Sequence, residues 1–247
     1  MELWPHIPYN KDDEPKFLFM LTSPNSGSTA MAQIATTASN IELLHSKGEG
    51  QQLIPGMFEI DRWSPEKYID YESVKSVWLA KYQSLKKQNP LVNTIFEKSP
   101  PNQVRIYNII KMFKDTSLLI NVRNPYANCA SRLYRYYNYT DQRSKSLHEL
   151  ANNWVRESTN LKQIAHNTSS QIITYEQFCN NPNILSTFLS TDVDISVKIK
   201  IKDYEPSLVT NYNDKQISKL TAEDISIISS VIRHHSELVE FYGYEVL

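Results

Sequence analysis

Three short segments of the chain carry the groups that an anion needs. The first is Ser23-Pro24-Asn25-Ser26-Gly27-Ser28-Thr29, where hydroxyls crowd round a glycine just ahead of sequence that reads as helix. Glycine lets backbone N–H groups turn inward, and the N-terminus of the following helix adds partial positive charge, a combination suited to phosphate. The loop lacks the first glycine and the lysine of the ATP-binding G-x-x-x-x-G-K-S/T pattern. The second segment is Phe96-Glu97-Lys98-Ser99-Pro100, and the third is Asn121-Val122-Arg123-Asn124-Pro125, followed by Ser131 eight residues after Arg123. If Pro125 starts a helix, Ser131 lies about 9 Å along it. An arginine there binds a phosphate through paired hydrogen bonds, with the hydroxyl beside it. Taken singly, each segment has an ordinary explanation: a capped turn, a surface ion pair, a solvated helix position.

The elements that hold these segments make the combination informative. Phe17–Leu21 (FLFML), Leu91–Glu97 (LVNTIFE), Ser117–Val122 (SLLINV) and Gln171–Thr174 (QIIT) are short apolar runs of the kind buried on both faces of a parallel sheet. A short strand is possible at Ile41–His45, and Val197–Ile201 alternates apolar residues with lysine as an edge strand does. Helices are expected over residues 30–35, from Ser64-Pro65-Glu66 to about Gln88, and over 102–113, 125–137, 147–166, 183–190 and 222–242. Strands alternating with helices predict an α/β fold: one domain over residues 1–247, with a central, mostly parallel sheet flanked by helices. The cofactor-binding core runs over about 16–190, and a C-terminal strand and helices over 191–247. Ligands of such sheets sit beyond the carboxyl ends of the strands. Here those ends lead to the Ser/Thr/Gly loop, to Lys98 and to Arg123.

Composition narrows the function. A chain of 247 residues with net charge −1 has no global field for nucleic acid or an anionic membrane. Cys129 and Cys179 cannot build a disulfide framework. No run approaches the roughly 18 apolar residues of a membrane span, and the lead MELWPHIPYNKDDEP lacks the pattern of a signal peptide. A cytoplasmic protein is expected, so the glycosylation triplets Asn138-Tyr139-Thr140 and Asn167-Thr168-Ser169 read as chance. The adjacent pair His234-His235 faces different ways on a helix, and no Cys/His/Asp cluster has metal-ligand spacing, so no metal is expected. Only 5 glycines occur, and Gly27, Gly48, Gly50 and Gly56 fall close together, which predicts unusual backbone there.

Together the segments resemble the sulfotransferases that use 3′-phosphoadenosine 5′-phosphosulfate (PAPS). In that family a Lys/Arg-Ser/Thr-Gly-Ser/Thr-Thr loop binds the 5′-phosphosulfate, and an R-x-P-x5-S segment binds the 3′-phosphate. Ser26-Gly27-Ser28-Thr29 is similar to the first, and Arg123-Asn124-Pro125 with Ser131 to the second. Glu97-Lys98-Ser99-Pro100 looks like the family's E-K-S/T-P segment, whose lysine lies near the sulfuryl group. Ile173-Thr174-Tyr175-Glu176-Gln177-Phe178 resembles its Y-E-x-L/F segment, and the ending Phe241-Tyr242-Gly243-Tyr244 is similar to many bacterial members. The resemblance spans residues 17 to about 190 and implies a phosphate-loop-like fold and PAPS as donor, with PAP released and no metal. Asn25, Ser26, Gly27, Ser28, Thr29, Arg123 and Ser131 would bind the cofactor.

One residue departs from the family pattern. Asn25 stands where relatives carry Lys or Arg, which removes a charge that stabilises the bridging oxygen as the S–O bond breaks. Lys98 can replace it, and Lys47 and Arg62 are further candidates. The resemblance also implies a base on the segment after the first helix: Glu49, in Ser46-Lys47-Gly48-Glu49-Gly50, or His45, with Asp61 behind them. The alternative to an active enzyme is a protein that binds PAP and transfers nothing. An ATP-dependent kinase and a plain interaction domain fit less well. The acceptor, a small molecule, glycan, lipid or peptide, is not coded in the sequence, and neither is the oligomeric state. The row Lys198-Lys200-Lys202 suits an acidic acceptor or a charged sheet edge equally.

Overall fold

The apolar runs become strands and the turn-rich segments become the loops between them. A computed structural model describes residues 13–57, 59–137, 142–201 and 204–247. Residues 1–12 of the lead segment, the triplet Asn138-Tyr139-Thr140 and Lys202 lie outside the described residues. In chain order the elements are β1 (Lys16–Thr22), α1 (Ser28–Ala35), β2 (Ile41–Glu42), α2 (Tyr71–Gln88), β3 (Thr94–Glu97), α3 (Ile106–Ile110), β4 (Thr116–Asn121), α4 (Pro125–Tyr136), α5 (Arg143–Thr168), β5 (Gln171–Ile172), α6 (Tyr175–Asn180), α7 (Ile184–Leu189), α8 (Asn213–Ile217), α9 (Ala222–Ile232) and α10 (Ser236–Phe241). The strands form one sheet in the order β2-β3-β1-β4-β5, and the fold is α/β as expected. Strand β3 pairs in parallel with both β1 and β2. Past the ends of β4 and β5 the ladder continues, with Ile173 and Tyr175 N–H donating to the carbonyls of Ile120 and Val122.

The chain forms two compact units. The first comprises the residues up to Leu21, Ser28–Leu119 and Asn183–Leu208. Its core is an aromatic cluster in which Phe17 and Phe19 of β1 lie against Trp78 of α2, with Phe113 3.9 Å from Phe17 between ring centres. The second comprises Thr22–Gly27, Ile120–Pro182 and Val209–Leu247. There α5 packs on α4 and α9, around Trp154, Tyr126, Leu133, Phe178 and Ile228, all fully or almost fully buried. Arg132 of α4 and Glu157 of α5 form a buried ion pair, 3.1 Å apart, and Arg143 grips Asp224 at 2.9 and 2.6 Å.

Four expected elements differ in ways that local chemistry explains. Helix α2 begins at Tyr71 rather than at Ser64. Asp70 caps it through Ser73 N–H (3.2 Å), while Lys67 is drawn aside by the carboxylates of Glu59 and Asp61. The helix expected over 102–113 is a 3₁₀ turn (Pro100–Val104) followed by α3. Arg105 breaks it, its guanidinium donating to the carbonyls of Arg62 and Ser64 at 2.9 and 2.7 Å. In place of an edge strand at 197–201 there is a single antiparallel bridge between Ile199 and Ser207. The Gln33 side chain takes up both the N–H and the carbonyl of Lys200, so that segment needs no strand partner. The closing helix is interrupted by a 3₁₀ turn at Arg233–His235.

Candidate active site

In the first unit, the candidate residues gather at the end of β3. Glu97 is completely buried and bound on three sides: Oε1 accepts from Ser99 N–H (2.8 Å) and Asn102 Nδ2 (3.0 Å), and Oε2 from Gly50 N–H (2.6 Å). The next residue, Lys98, donates its backbone N–H to the Gly48 carbonyl (2.8 Å). Trp78 Nε1 donates to the Gly50 carbonyl at 3.1 Å. The Gly48-Glu49-Gly50 turn is therefore pinned at both glycines, and Glu49 is presented between them. Gly48 has φ +73°, and a β-carbon there would stand 2.9 Å from Lys98 Cγ, so only glycine fits the position.

From this turn the Glu49 carboxylate reaches Lys98 Nζ at 3.3 Å, and the same ammonium lies 3.4 Å from the Thr29 hydroxyl in the first turn of α1. The Lys98 side chain is only 4% exposed, so its charge acts in a low-dielectric setting where an anion gains most from it. Burial pushes the Glu97 carboxyl up to about 7, against the pull of its Ser99 and Gly50 hydrogen bonds, and the nearby Glu49 pushes the same way. His45 is half-buried, its Nδ1 accepting from Lys47 N–H at 3.3 Å. Lys47 and Asp61 are exposed, and Asp61 pairs with Lys67. The Arg62 carbonyl serves Arg105.

In the second unit, a separate set of candidate residues gathers on the loop after β1 and at the end of β4. Asn25 has φ +62°, a left-handed conformation that asparagine tolerates better than most side chains, and Gly27 follows at +84°. A β-carbon on Gly27 would lie 2.3 Å from Tyr175 Cδ2, so the ring of Tyr175 closes against the loop at a distance only glycine permits. Asn128 of α4 braces the loop, its Nδ2 donating to the Pro24 carbonyl (2.8 Å) and to Ser26 Oγ (3.1 Å). Arg123 is buried. Its Nη1 donates to the Asn25 carbonyl (2.9 Å), its Nε to Asn213 Oδ1 (2.8 Å), and its guanidinium lies 4.3 Å from the centre of the Tyr175 ring.

Further groups fix this arginine. Trp154 Nε1 holds the Arg123 carbonyl at 2.9 Å. Glu176 Oε1 accepts from Asn124 N–H (3.0 Å) and Asn213 Nδ2 (2.6 Å), and its Oε2 from the Tyr244 hydroxyl (2.6 Å). Asn124 caps α4 and Pro125 opens it, which sets Ser131 half-buried within that helix. Burial drives the phenols of Tyr175 and Tyr244 upward, so both stay neutral donors over the physiological range.

Three buried polar atoms in and beside the loop have no partner among the described residues: Ser23 Oγ, Asn25 Nδ2 and Asn128 Oδ1. Unpaired buried donors are costly, and two of these, the Ser23 hydroxyl and the Asn25 amide, can donate to an anion. This donor set fits a phosphate-bearing ligand. The strand-end rule leads to Lys98 and Arg123, but it is silent on Glu97, Asn128, Asn213, Arg135 and the ring of Tyr175. Apart from Ser99 and Asn102 beside Glu97, the partners of these residues lie tens of residues away, and in the sequence only Glu97 and the Tyr175-Glu176 pair stand out, within segments that resemble the family's. Among the described residues, no three His, Cys, Asp or Glu side chains gather as metal ligands, and no helix is long and apolar enough to cross a membrane.

The profile of the sulfotransferase family matches residues 15–185, and the chain belongs to that family. The fold is similar to the sulfotransferase domain of the Synechococcus PCC 7002 olefin synthase, with a TM-score of 0.59, 16% identity and all of both chains covered. It is also similar to a sulfotransferase from Mycobacterium avium (TM-score 0.57, 12% identity, 95% of this chain and 78% of that one). A third likeness is to a sulfotransferase from Alicyclobacillus acidocaldarius (0.54, 12%, 92% and 96%). A search of curated proteins returned no match.

Proposed function

We propose that the protein is an active PAPS-dependent sulfotransferase. The observation that carries this reading is the buried Lys98 ammonium shared between Thr29 of the loop segment and the pinned carboxylate of Glu49. In the reaction, an acceptor oxygen bonds to sulfur as the bridging S–O bond breaks. The acceptor proton passes to a base, and the electron pair leaves with PAP. Ser26, Gly27, Ser28 and Thr29 hold the phosphosulfate end through hydroxyls and N–H groups. Arg123 and Ser131 hold the 3′-phosphate. Lys98 balances charge on the leaving oxygen, and Glu49 takes the proton. Glu49 is favoured over His45 because its carboxylate contacts Lys98, whereas His45 Nδ1 is spent on Lys47 N–H. Positioning and charge stabilisation account for the rate enhancement.

The second reading, a PAP-binding protein without turnover, rests on Asn25. A test separates the two: PAPS is offered with a mixture of phenolic, sugar and peptide acceptors, and PAP release is followed for the wild type, Lys98→Ala and Glu49→Gln. The active reading predicts acceptor-dependent release that falls at least a hundredfold in Lys98→Ala and in Glu49→Gln. PAP binding with no release from the wild type favours the second reading.

A further inference from the structure

Asn25 collects two guanidinium groups although it carries no charge. Arg123 Nη1 donates to its carbonyl at 2.9 Å, and Arg135 Nη1 donates to its Oδ1 at 3.3 Å. Arg135 lies on α4, one helical turn beyond Ser131, and is exposed. Among the described residues it has no carboxylate partner, and its guanidinium lies 5.6 Å from the centre of the Tyr136 ring. The other half of the same amide, Asn25 Nδ2, is buried and has no acceptor. Asn25 thus presents a tethered cation and an unsatisfied donor on one side chain, its own backbone in the left-handed conformation.

We propose that Arg135 is the cation of this loop. Asn25 serves as its tether, and the guanidinium binds the anionic 5′ end of the donor nucleotide. A positive charge that the loop sequence itself does not supply is thereby brought in from α4. Arg135 differs from Arg123 in its freedom. The Arg123 guanidinium is buried and held by Asn213 and the Tyr175 ring, whereas Arg135 is exposed and can swing from Asn25 Oδ1 onto a ligand oxygen without leaving an unpaired buried charge. The guanidinium fork suits a phosphate or phosphosulfate oxygen pair, which a lysine would meet only as a point charge.

This inference rests on the reading of the protein as a PAPS-dependent enzyme, and the experiment separates the two. Calorimetry measures binding of PAP and of adenosine 3′-monophosphate, which lacks the 5′ group, to the wild type, Arg135→Gln and the double variant Asn25→Lys/Arg135→Gln. Arg135→Gln should weaken PAP about tenfold, the scale of one charge-assisted pair, and change the 3′-monophosphate by less than twofold. A lysine at position 25 should recover at least threefold of the lost PAP affinity. Equal PAP affinity in wild type and Arg135→Gln overturns the inference. An equal loss for both ligands overturns it as well, since the charge would then act at no particular end. So does a double variant that melts like the wild type yet recovers nothing. If the double variant does not fold, the two-ligand comparison on Arg135→Gln decides alone. A wild type that binds no PAP instead removes the donor assignment itself.

Discussion

Gly27 has no room for a methyl group. Alanine there would place its β-carbon 2.3 Å from the Tyr175 ring, at a φ of +84° that L side chains rarely adopt. Gly27→Ala is expected to cost about 1–3 kcal/mol, seen as a melting temperature several degrees lower. It should weaken PAP binding as well, because the loop or the ring must move. Arg123→Lys keeps the charge but gives up the fork that reaches Asn25 and Asn213 together, and much of the stacking on Tyr175. A PAP affinity at least tenfold lower, read by calorimetry, is expected; an unchanged affinity would show that charge alone matters. Single residues were only partly legible in the sequence. The types at positions 98 and 123 stood out because they follow apolar runs, and Gly27 because glycine is scarce. Asn213 did not, since it meets Arg123 across 90 residues and nothing in NYNDKQ marks it.

At the scale of elements, the end of β3 does more than carry Lys98. Glu97 binds its proton more tightly in the folded chain than in the unfolded one, since burial raises it from 4.5 to about 7. Its contribution to stability is therefore complete below about pH 4.5, declines as pH rises to about 7, and is flat above. The decline is at most about 3 kcal/mol. Glu97→Gln should remove that slope, so the difference in unfolding free energy between wild type and variant shrinks as pH rises from 4.5 to 7. At the acid end of that range the variant should be less stable than the wild type by about 1–3 kcal/mol, because an amide N–H₂ then faces N–H donors. Urea unfolding at pH 5, 6 and 7 measures both effects, and a constant difference would show that Glu97 does not titrate there. The cap of α4 offers a smaller test. Asn124 accepts from Tyr126 and Ala127 N–H at 3.0 and 3.1 Å, and Asn124→Ala should cost about 1 kcal/mol. Strand cores were legible because runs such as FLFML have no alternative to burial. Helix starts were less so: Ser64-Pro65-Glu66 has the look of a cap, but ion pairing of Lys67 and the stronger Asp70 cap moved the start to Tyr71.

At the scale of the whole molecule, the α/β class followed from the alternation of apolar runs and helical periods, and the five-stranded sheet has that character. The order of strands was not legible, because pairing depends on contacts far apart in sequence. The net charge of −1 places recognition of an anionic donor on local groups rather than on a long-range field. Burial pushes the Cys129 thiol up to about 12 and the Cys179 thiol up to about 11, which disfavours the thiolate at both.

The proposed donor, PAPS, is tested by the melting temperature with PAP, beside 5′-AMP and ATP and with Arg123→Ala in parallel. A ligand that binds only the folded chain raises the melting temperature by mass action, by about 2.7 kcal/mol of stability at a hundred times its Kd. PAP should raise the melting temperature well beyond 5′-AMP or ATP, and the rise should be lost in Arg123→Ala. A rise with PAP no larger than that with 5′-AMP, or one that persists without Arg123, would contradict the proposed donor.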